Sequence, residues 1–202
     1  MKDEILQTAL SQFLKFGIRG MSIKRLIEPL GISTKTVYKY YKNKEELLTE
    51  VLEHISNKAI EEVETVRKNH QCPIEIMFIF GTRIDDATSQ EKNAFVLQLI
   101  KYYPEVFHQH QKSISIKIEE ILKQNFERGV ELGYYRTDIP TDLFIKFLTT
   151  LLFSVDVSPL FEDIKDKKYI STGIKFFYLN AIVTEKGQQR LKELKTKYEE
   201  LD

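Results

Sequence analysis

The chain reads as an all-α protein, on three observations. Apolar residues recur at helical spacing through most of its 202 residues. Glycine and proline stand where those stripes begin or end. Strand signals are scarce: no Asn-Gly or Asp-Gly hairpin dipeptide occurs, and the best period-2 run, Ser113 to Ile118, lies inside a longer helical pattern. Nine or ten helices are expected, with a three-helix N-terminal domain over 1–46 and a larger helical body over 47–202.

The elements follow in order. Ile5, Ala9 and Phe13, widened by Leu6, Leu10 and Phe16, make a first helix over 3–16 that stops at Gly17. Ser22 suits the N-cap of a short second helix carrying Ile23, Leu26, Ile27 and Leu30 on one face, closed by Gly31. Ser33 caps a third helix over 34–41 after a tight Gly31-Ile32-Ser33 turn. Asn43 with Glu46 three residues on forms a capping box for a long helix, whose Leu47, Leu48, Val51, Leu52, Ile55, Ala59 and Val63 read as one continuous face.

Further helices are expected at 73–88, 91–102, 104–131, 141–155, 164–182 and 184–200. Pro73, Pro104 and Pro140 stand at starts, and Gly129, Gly133, Pro159 and Gly187 at or near ends and breaks. Neither an internal repeat nor a flexible linker interrupts the pattern.

Composition narrows the function. A hydrophobic fraction of 42% supports a packed core, and 30% charged residues describe a solvated surface rather than disorder. The longest apolar runs fall well short of the ~20 residues that span a bilayer. A single cysteine, Cys72, excludes an intramolecular disulfide, and no signal-peptide pattern opens the chain, so the expected location is the cytoplasm.

Net charge is zero, yet from 15 to 44 eight basic residues face Glu28 alone, a local charge of +7. Such asymmetry is the electrostatic footprint of a nucleic-acid contact, or else a solvated basic face.

Catalytic signatures are missing. The histidine clusters, His70-Gln71-Cys72 and His108-Gln109-His110, place their members at i and i+2, about 200° apart on a helix, so neither makes a two-ligand metal site. No HExxH, paired CxxC, GxSxG or phosphate-loop string occurs. No enzyme activity, cofactor or metal is expected.

Two short helices joined by a glycine-bearing turn on a basic background have the form of a helix-turn-helix. A major groove ~12 Å wide admits one helix whose outer face is polar and whose inner face is pinned to a support. Val37, Tyr41 and Tyr40 lie on one arc of the third helix, whereas Lys35, Lys39 and Tyr38 point elsewhere. Of the three tyrosines, Tyr40 sits at the border between the arcs.

The string from Ile23-x-x-Leu26 through Leu30-Gly31-Ile32-Ser33-Thr34-x-Thr36-Val37-Tyr38-x-Tyr40-Tyr41-x-Asn43-Lys44-Glu45-Glu46-Leu47-Leu48 resembles the N-terminal domain of the tetracycline-repressor (TetR) family of transcriptional regulators, over residues 5 to 52. A second string, Arg128-Gly129 to Gly133-Tyr134-Tyr135-Arg136-Thr137-Asp138-Ile139, is similar to a turn that many members carry after their long seventh helix. Ile27 and Leu30 depart from the family's usual alanines, and Pro29 cannot donate to the carbonyl of Arg25, so a local bend is expected in the second helix.

The resemblance implies a homodimer on a palindromic DNA operator, repressing until a small molecule releases it. The alternative is an orphan regulator or activator controlled by a protein partner. By resemblance Tyr38 and Lys44 hold phosphates, helped by Thr36 and Tyr40. Ser33 and Thr34 open the recognition helix, and Lys35 and Lys39 reach base edges or phosphate. Ser22, Lys24 and Arg25 anchor the flanking backbone, or form a solvated face.

An effector pocket would draw on Phe78, Arg83, Phe95, Leu99, Tyr102, Tyr103, Phe107, Phe126 and Phe153, any of which serves equally as core. A dimer face would use Phe144, Phe147, Leu148 and Leu151 with Ile174, Phe177, Tyr178 and Ala181, two stripes that intrachain packing could also claim.

Overall fold

The computed structural model describes residues 1–79, 90–155, 158–161, 164 and 167–199. They form helices α1 (Lys2–Phe16), α2 (Ile23–Ile27), α3 (Thr34–Val37), α4 (Lys44–Asn69), α5 (73–79), α6 (Gln90–Tyr102), α7 (Pro104–Glu131), α8 (Thr141–Ser154), α9 (Lys167–Ile182) and α10 (Glu185–Glu199). Short 3-10 turns lie at Glu28–Leu30 and Pro159–Phe161. Among the described residues the only strand-like pairing is an isolated bridge between Tyr135 and Val183. The chain is all-α, and the Ser113–Ile118 alternation lies within α7. Of the helix expected over 73–88, residues 80–88 lie outside the described residues.

The chain divides into two compact units, one of Met1–Lys58 with Thr88–Ile114, the other of Ala59–Ala87 with Ser115–Asp202. The division passes through α4, and the burial pattern shows why. Leu47, Leu48, Val51 and Leu52 are buried in the first unit's core, Ala59 is exposed, and Val63 is buried again. The stripe expected to be continuous is therefore broken at Ala59.

In the first unit, Ile5, Ala9 and Phe13 of α1 meet Leu26 and Ile27 of α2, Val37, Tyr41, and Phe95 and Leu99 of α6. In the second, Ile74, Phe78, Leu122, Phe126, Tyr135, Ile145, Leu148, Ile174, Tyr178, Leu179 and Leu194 form the centre of the core.

The Arg128–Ile139 string has a packing reason in the second unit. Gly129 carries no side chain because the Tyr135 ring occupies the space a Cβ would take. Its carbonyl accepts the N–H groups of both Tyr134 and Tyr135. Gly133, at φ 72°, makes the left-handed turn that follows α7. Tyr135 is thereby folded back beside Phe126, ring centroids 5.6 Å apart, and its hydroxyl donates to Asn125 at 3.3 Å.

Candidate nucleic-acid interface

The site is built on α2 and α3. Ser22 accepts the Arg25 N–H at 3.2 Å and so starts α2, burying Ile23, Leu26 and Ile27 while Lys24 and Arg25 face outward. At its far end the Arg25 carbonyl is taken by the Glu28 N–H, one residue earlier than α-helical geometry would use. The helix therefore tightens into the 3-10 turn Glu28–Leu30, with Pro29 in its first turn. Where a bend is expected at Pro29, the structure has this change to 3-10 winding. Gly31, at φ 62°, then turns the chain.

Ser33 caps α3, its hydroxyl accepting the Thr36 N–H at 3.2 Å and lying 3.0 Å from the Thr36 hydroxyl. Thr34 and Thr36 are half-buried, and Lys35 is exposed. The expected helix over 34–41 is shorter than predicted: α3 ends at Val37, and residues 38–40 wind as a tight turn. Lys39 and Tyr40 donate to Thr36 and Val37, three residues back, rather than four. Two threonines and a valine are weak helix formers, and the tighter winding ends with Tyr41 in the core.

Burial sorts the three tyrosines. Tyr41 is 1% exposed and Val37 fully buried, whereas Tyr38 and Tyr40 are 54% and 40% exposed. The border residue Tyr40 thus lies outside. Lys35, Tyr38, Lys39 and Tyr40 form an outward polar and aromatic surface held by two buried anchors. Burial, with the Glu50 carboxylate nearby, pushes the Tyr41 hydroxyl well above the usual tyrosine range.

Lys44 behaves differently from its neighbours. Its ammonium donates to the Ile18 carbonyl at 2.5 Å and lies 5.8 Å and 5.4 Å from the ring centres of Phe13 and Tyr103. Burial lowers its pKa. In this arrangement Lys44 ties α4 to the turn between α1 and α2. The capping box beside it forms: Asn43 accepts the Glu46 N–H at 2.8 Å, although Glu46 reaches back to the Lys42 N–H rather than to that of Asn43.

One residue of this unit escaped the sequence reading. The Gln98 carbonyl oxygen accepts the N–H groups of Ile18 at 2.7 Å and Arg19 at 3.2 Å, across 80 and 79 positions. Its signal was a polar residue on the apolar arc Phe95, Leu99, Tyr102 of α6.

The effector candidates divide between the units. Phe95 and Leu99 belong to the first core, with Tyr103 and Phe107 packed against it, while Arg19 stacks over Tyr102 at 5.5 Å. Phe78 and Phe126 belong to the second core, Phe153 is half-buried, and Arg83 lies outside the described residues.

The dimer candidates also divide, by face. Leu148, Ile174 and Tyr178 are buried, Phe144 stacks on Tyr178 at 4.5 Å, and Leu151 and Ala181 are half-buried. Phe147 and Phe177 stand 58% and 71% exposed. An open apolar groove of about 530 Å³, lined by Leu151, Phe161, Ile170, Ile174, Phe176 and Phe177 among others, includes one of them.

Residues 5–51 match the model for bacterial regulatory proteins of the tetR family. Two curated repressors are similar in sequence. The HTH-type transcriptional repressor AcnR of Corynebacterium diphtheriae is 24% identical over 152 residues, 75% of this chain and 76% of that protein. The HTH-type transcriptional repressor KstR2 of Mycobacterium tuberculosis is 21% identical over 155 residues, 73% and 75%. A transcriptional regulator from Cytophaga hutchinsonii shares the fold, with a TM-score of 0.77 at 16% identity, over 90% of this chain and 98% of that one. The matched segment, residues 5–51, holds the whole surface from Ser22 to Lys44 and carries the chain's likeness to bacterial regulatory proteins of the tetR family.

Proposed function

We propose that the chain is a DNA-binding repressor, acting as a homodimer on a palindromic operator and released by a small molecule, without catalytic activity of its own. The observation that carries this reading is the surface of Lys35, Tyr38, Lys39 and Tyr40, held outward by buried Val37 and Tyr41, inside the family-matched segment. Such a surface serves two tasks. Tyr38 and Tyr40 hydroxyls donate to phosphate oxygens, and Lys35 and Lys39 meet phosphates or the acceptor edge of guanine. Lys24 and Arg25 anchor the neighbouring backbone. The basic excess over 15–44 speeds encounter and makes binding salt-dependent.

Dimerisation is supported by the exposed faces of α8 and α9. Leu143, Phe147 and Phe177 are each at least half exposed, and a monomer gains nothing from aromatic rings left in water. Two-fold symmetry would set paired reading surfaces one helical turn of DNA apart, about 34 Å. In this reading DNA recognition resides in 1–46, and dimerisation and effector binding in 47–202. Repression is taken from the curated relatives, both of which are repressors by name.

The test is fluorescence anisotropy on a duplex that the wild-type protein enriches from a random pool, with a scrambled duplex as control. Tyr38→Ala should weaken binding to both duplexes alike. Lys39→Ala or Lys35→Ala should weaken the enriched duplex more, if either lysine reads a base. A wild-type protein that enriches nothing, or a Tyr38→Ala variant that binds as tightly at the same salt, would defeat the reading.

A further inference from the structure

We propose that Gln98, on α6, is a positioning residue for DNA binding: its carbonyl oxygen clamps the turn between α1 and α2, and so sets where α2 begins. The inference rests on the DNA-binding reading above.

The turn is held from two sides. Ile18 is fully buried, so neither of its backbone groups can turn to water. Its N–H donates to Gln98 at 2.7 Å, and its carbonyl accepts from Lys44 at 2.5 Å. The next N–H, of Arg19, donates to the same Gln98 oxygen at 3.2 Å. One acceptor on α6 therefore satisfies two successive donors of the turn. The space for it is provided by Gly17: a Cβ there would fall 2.5 Å from the Gln98 Nε2. Gly17 also takes φ 76°, which favours glycine independently.

Three residues beyond Arg19 stands Ser22, the cap of α2, followed by Lys24 and Arg25. Fixing the backbone at 18 and 19 thus fixes the entry to the helix that supports α3. The bonds leave little slack, because a displacement of α6 by about 1 Å stretches both beyond the ~3.2 Å reach of an N–H···O bond. An amide at position 98 is accordingly more than a surface polar group. It makes α6 part of the DNA-reading unit, consistent with α6 falling in the same compact unit as α1 to α3.

The chemistry allows a clean test, because only an acceptor is required. Gln98→Glu keeps a carboxylate oxygen for both N–H groups, whereas Gln98→Met keeps the length and removes the acceptor. Amide hydrogen exchange at Ile18 and Arg19 is measured first, then anisotropy on the enriched and scrambled duplexes, with thermal melts as the folding check. Gln98→Met should lose protection at both amides, whose shared acceptor it removes, and bind the enriched duplex about tenfold more weakly. Gln98→Glu should retain both properties relative to its own scrambled-duplex control.

If Gln98→Met does not melt cooperatively, Gly17→Ala disturbs the same contact from the other side and should give the same two losses. Wild-type protection or wild-type affinity in Gln98→Met would overturn the proposal. So would a Gln98→Glu variant as impaired as Gln98→Met. A wild-type chain that enriches no duplex sinks the DNA-binding reading instead, while the exchange data still decide whether the clamp exists.

Discussion

The two compact units differ in the large side chains they leave outside. In the first, Phe13, Tyr41 and Phe95 are turned inward, and the surface from Lys15 to Lys44 is basic, with two outward tyrosines and the half-exposed Phe16. In the second, Phe126, Tyr135 and Tyr178 are buried, yet Phe147, Phe177, Tyr169 and Leu160 stand at 58%, 71%, 70% and 81% exposure. Buried anchors that hold polar groups outward suit a polyanionic partner. Buried anchors that hold apolar rings outward suit another apolar surface, for which a second copy of the chain is the proposed source.

The largest effect should come from spoiling the apolar face. Phe147→Glu combined with Phe177→Glu should convert the proposed dimer to monomer at micromolar concentration, read by sedimentation velocity. Each ring is the kind of anchor whose loss costs ~2 kcal/mol or more at an interface. A double variant that still sediments as a dimer would remove the contrast between the units.

Next come the inward anchors of the first unit. Tyr41→Ala should cost about 3–5 kcal/mol of stability by denaturant unfolding. Tyr41→Phe should change it by less than ~1 kcal/mol, since the Tyr41 hydroxyl is buried with no hydrogen-bond partner among the described residues. A costly Tyr41→Phe would mean that the hydroxyl, rather than the ring, is what the core holds.

In the second unit, Gly129→Ala should cost about 1–3 kcal/mol, because the new methyl enters the space of the Tyr135 ring. Unchanged unfolding would show that Tyr135 can rotate away without loss. The smallest effect at neutral pH concerns both units together. Burial is the leading cause holding Tyr41, Tyr135 and Tyr178 above the usual tyrosine range. A raised folded pKa means stability that is fully present below the unfolded value of ~10 and is lost as pH rises beyond it. The share of tyrosinate absorbance that belongs to a buried ring, isolated as the difference between the wild type and a Tyr178→Phe variant, should therefore appear only with alkaline unfolding. A difference signal that appears while the protein is still folded would contradict the burial.

How much was legible varied with the range of the interactions. Ser22, Ser33 and Asn43 could be read as caps because a cap needs only its own next three residues. The stop at Gly17 and the break at Pro29 are equally local. The early end of α3 was not read: the spacing of Val37 and Tyr41 fits an α-helix, and the structure shows residues 38–40 wound as a tight turn instead. Lys44 shows the same limit. Its place in the family string implies phosphate, while the fold sets its ammonium on the Ile18 carbonyl. Helical periodicity marked Phe144, Phe147, Ile174 and Phe177 as stripe residues. It could not tell the faces apart, since a stripe bears the same pattern whether a helix of its own chain or of another covers it.

By itself the sequence determined the all-α class, the order of the helices among the described residues and many of their limits, and the basic excess over 15–44, because each is encoded within one or two helical turns. The tertiary structure alone decided the pairing of Gln98 with Ile18 and Arg19, the exchange of α4 between two cores at Ala59, and which aromatic rings remain outside. Those outcomes depend on residues tens of positions apart competing for the same space, and no local pattern records who occupies it.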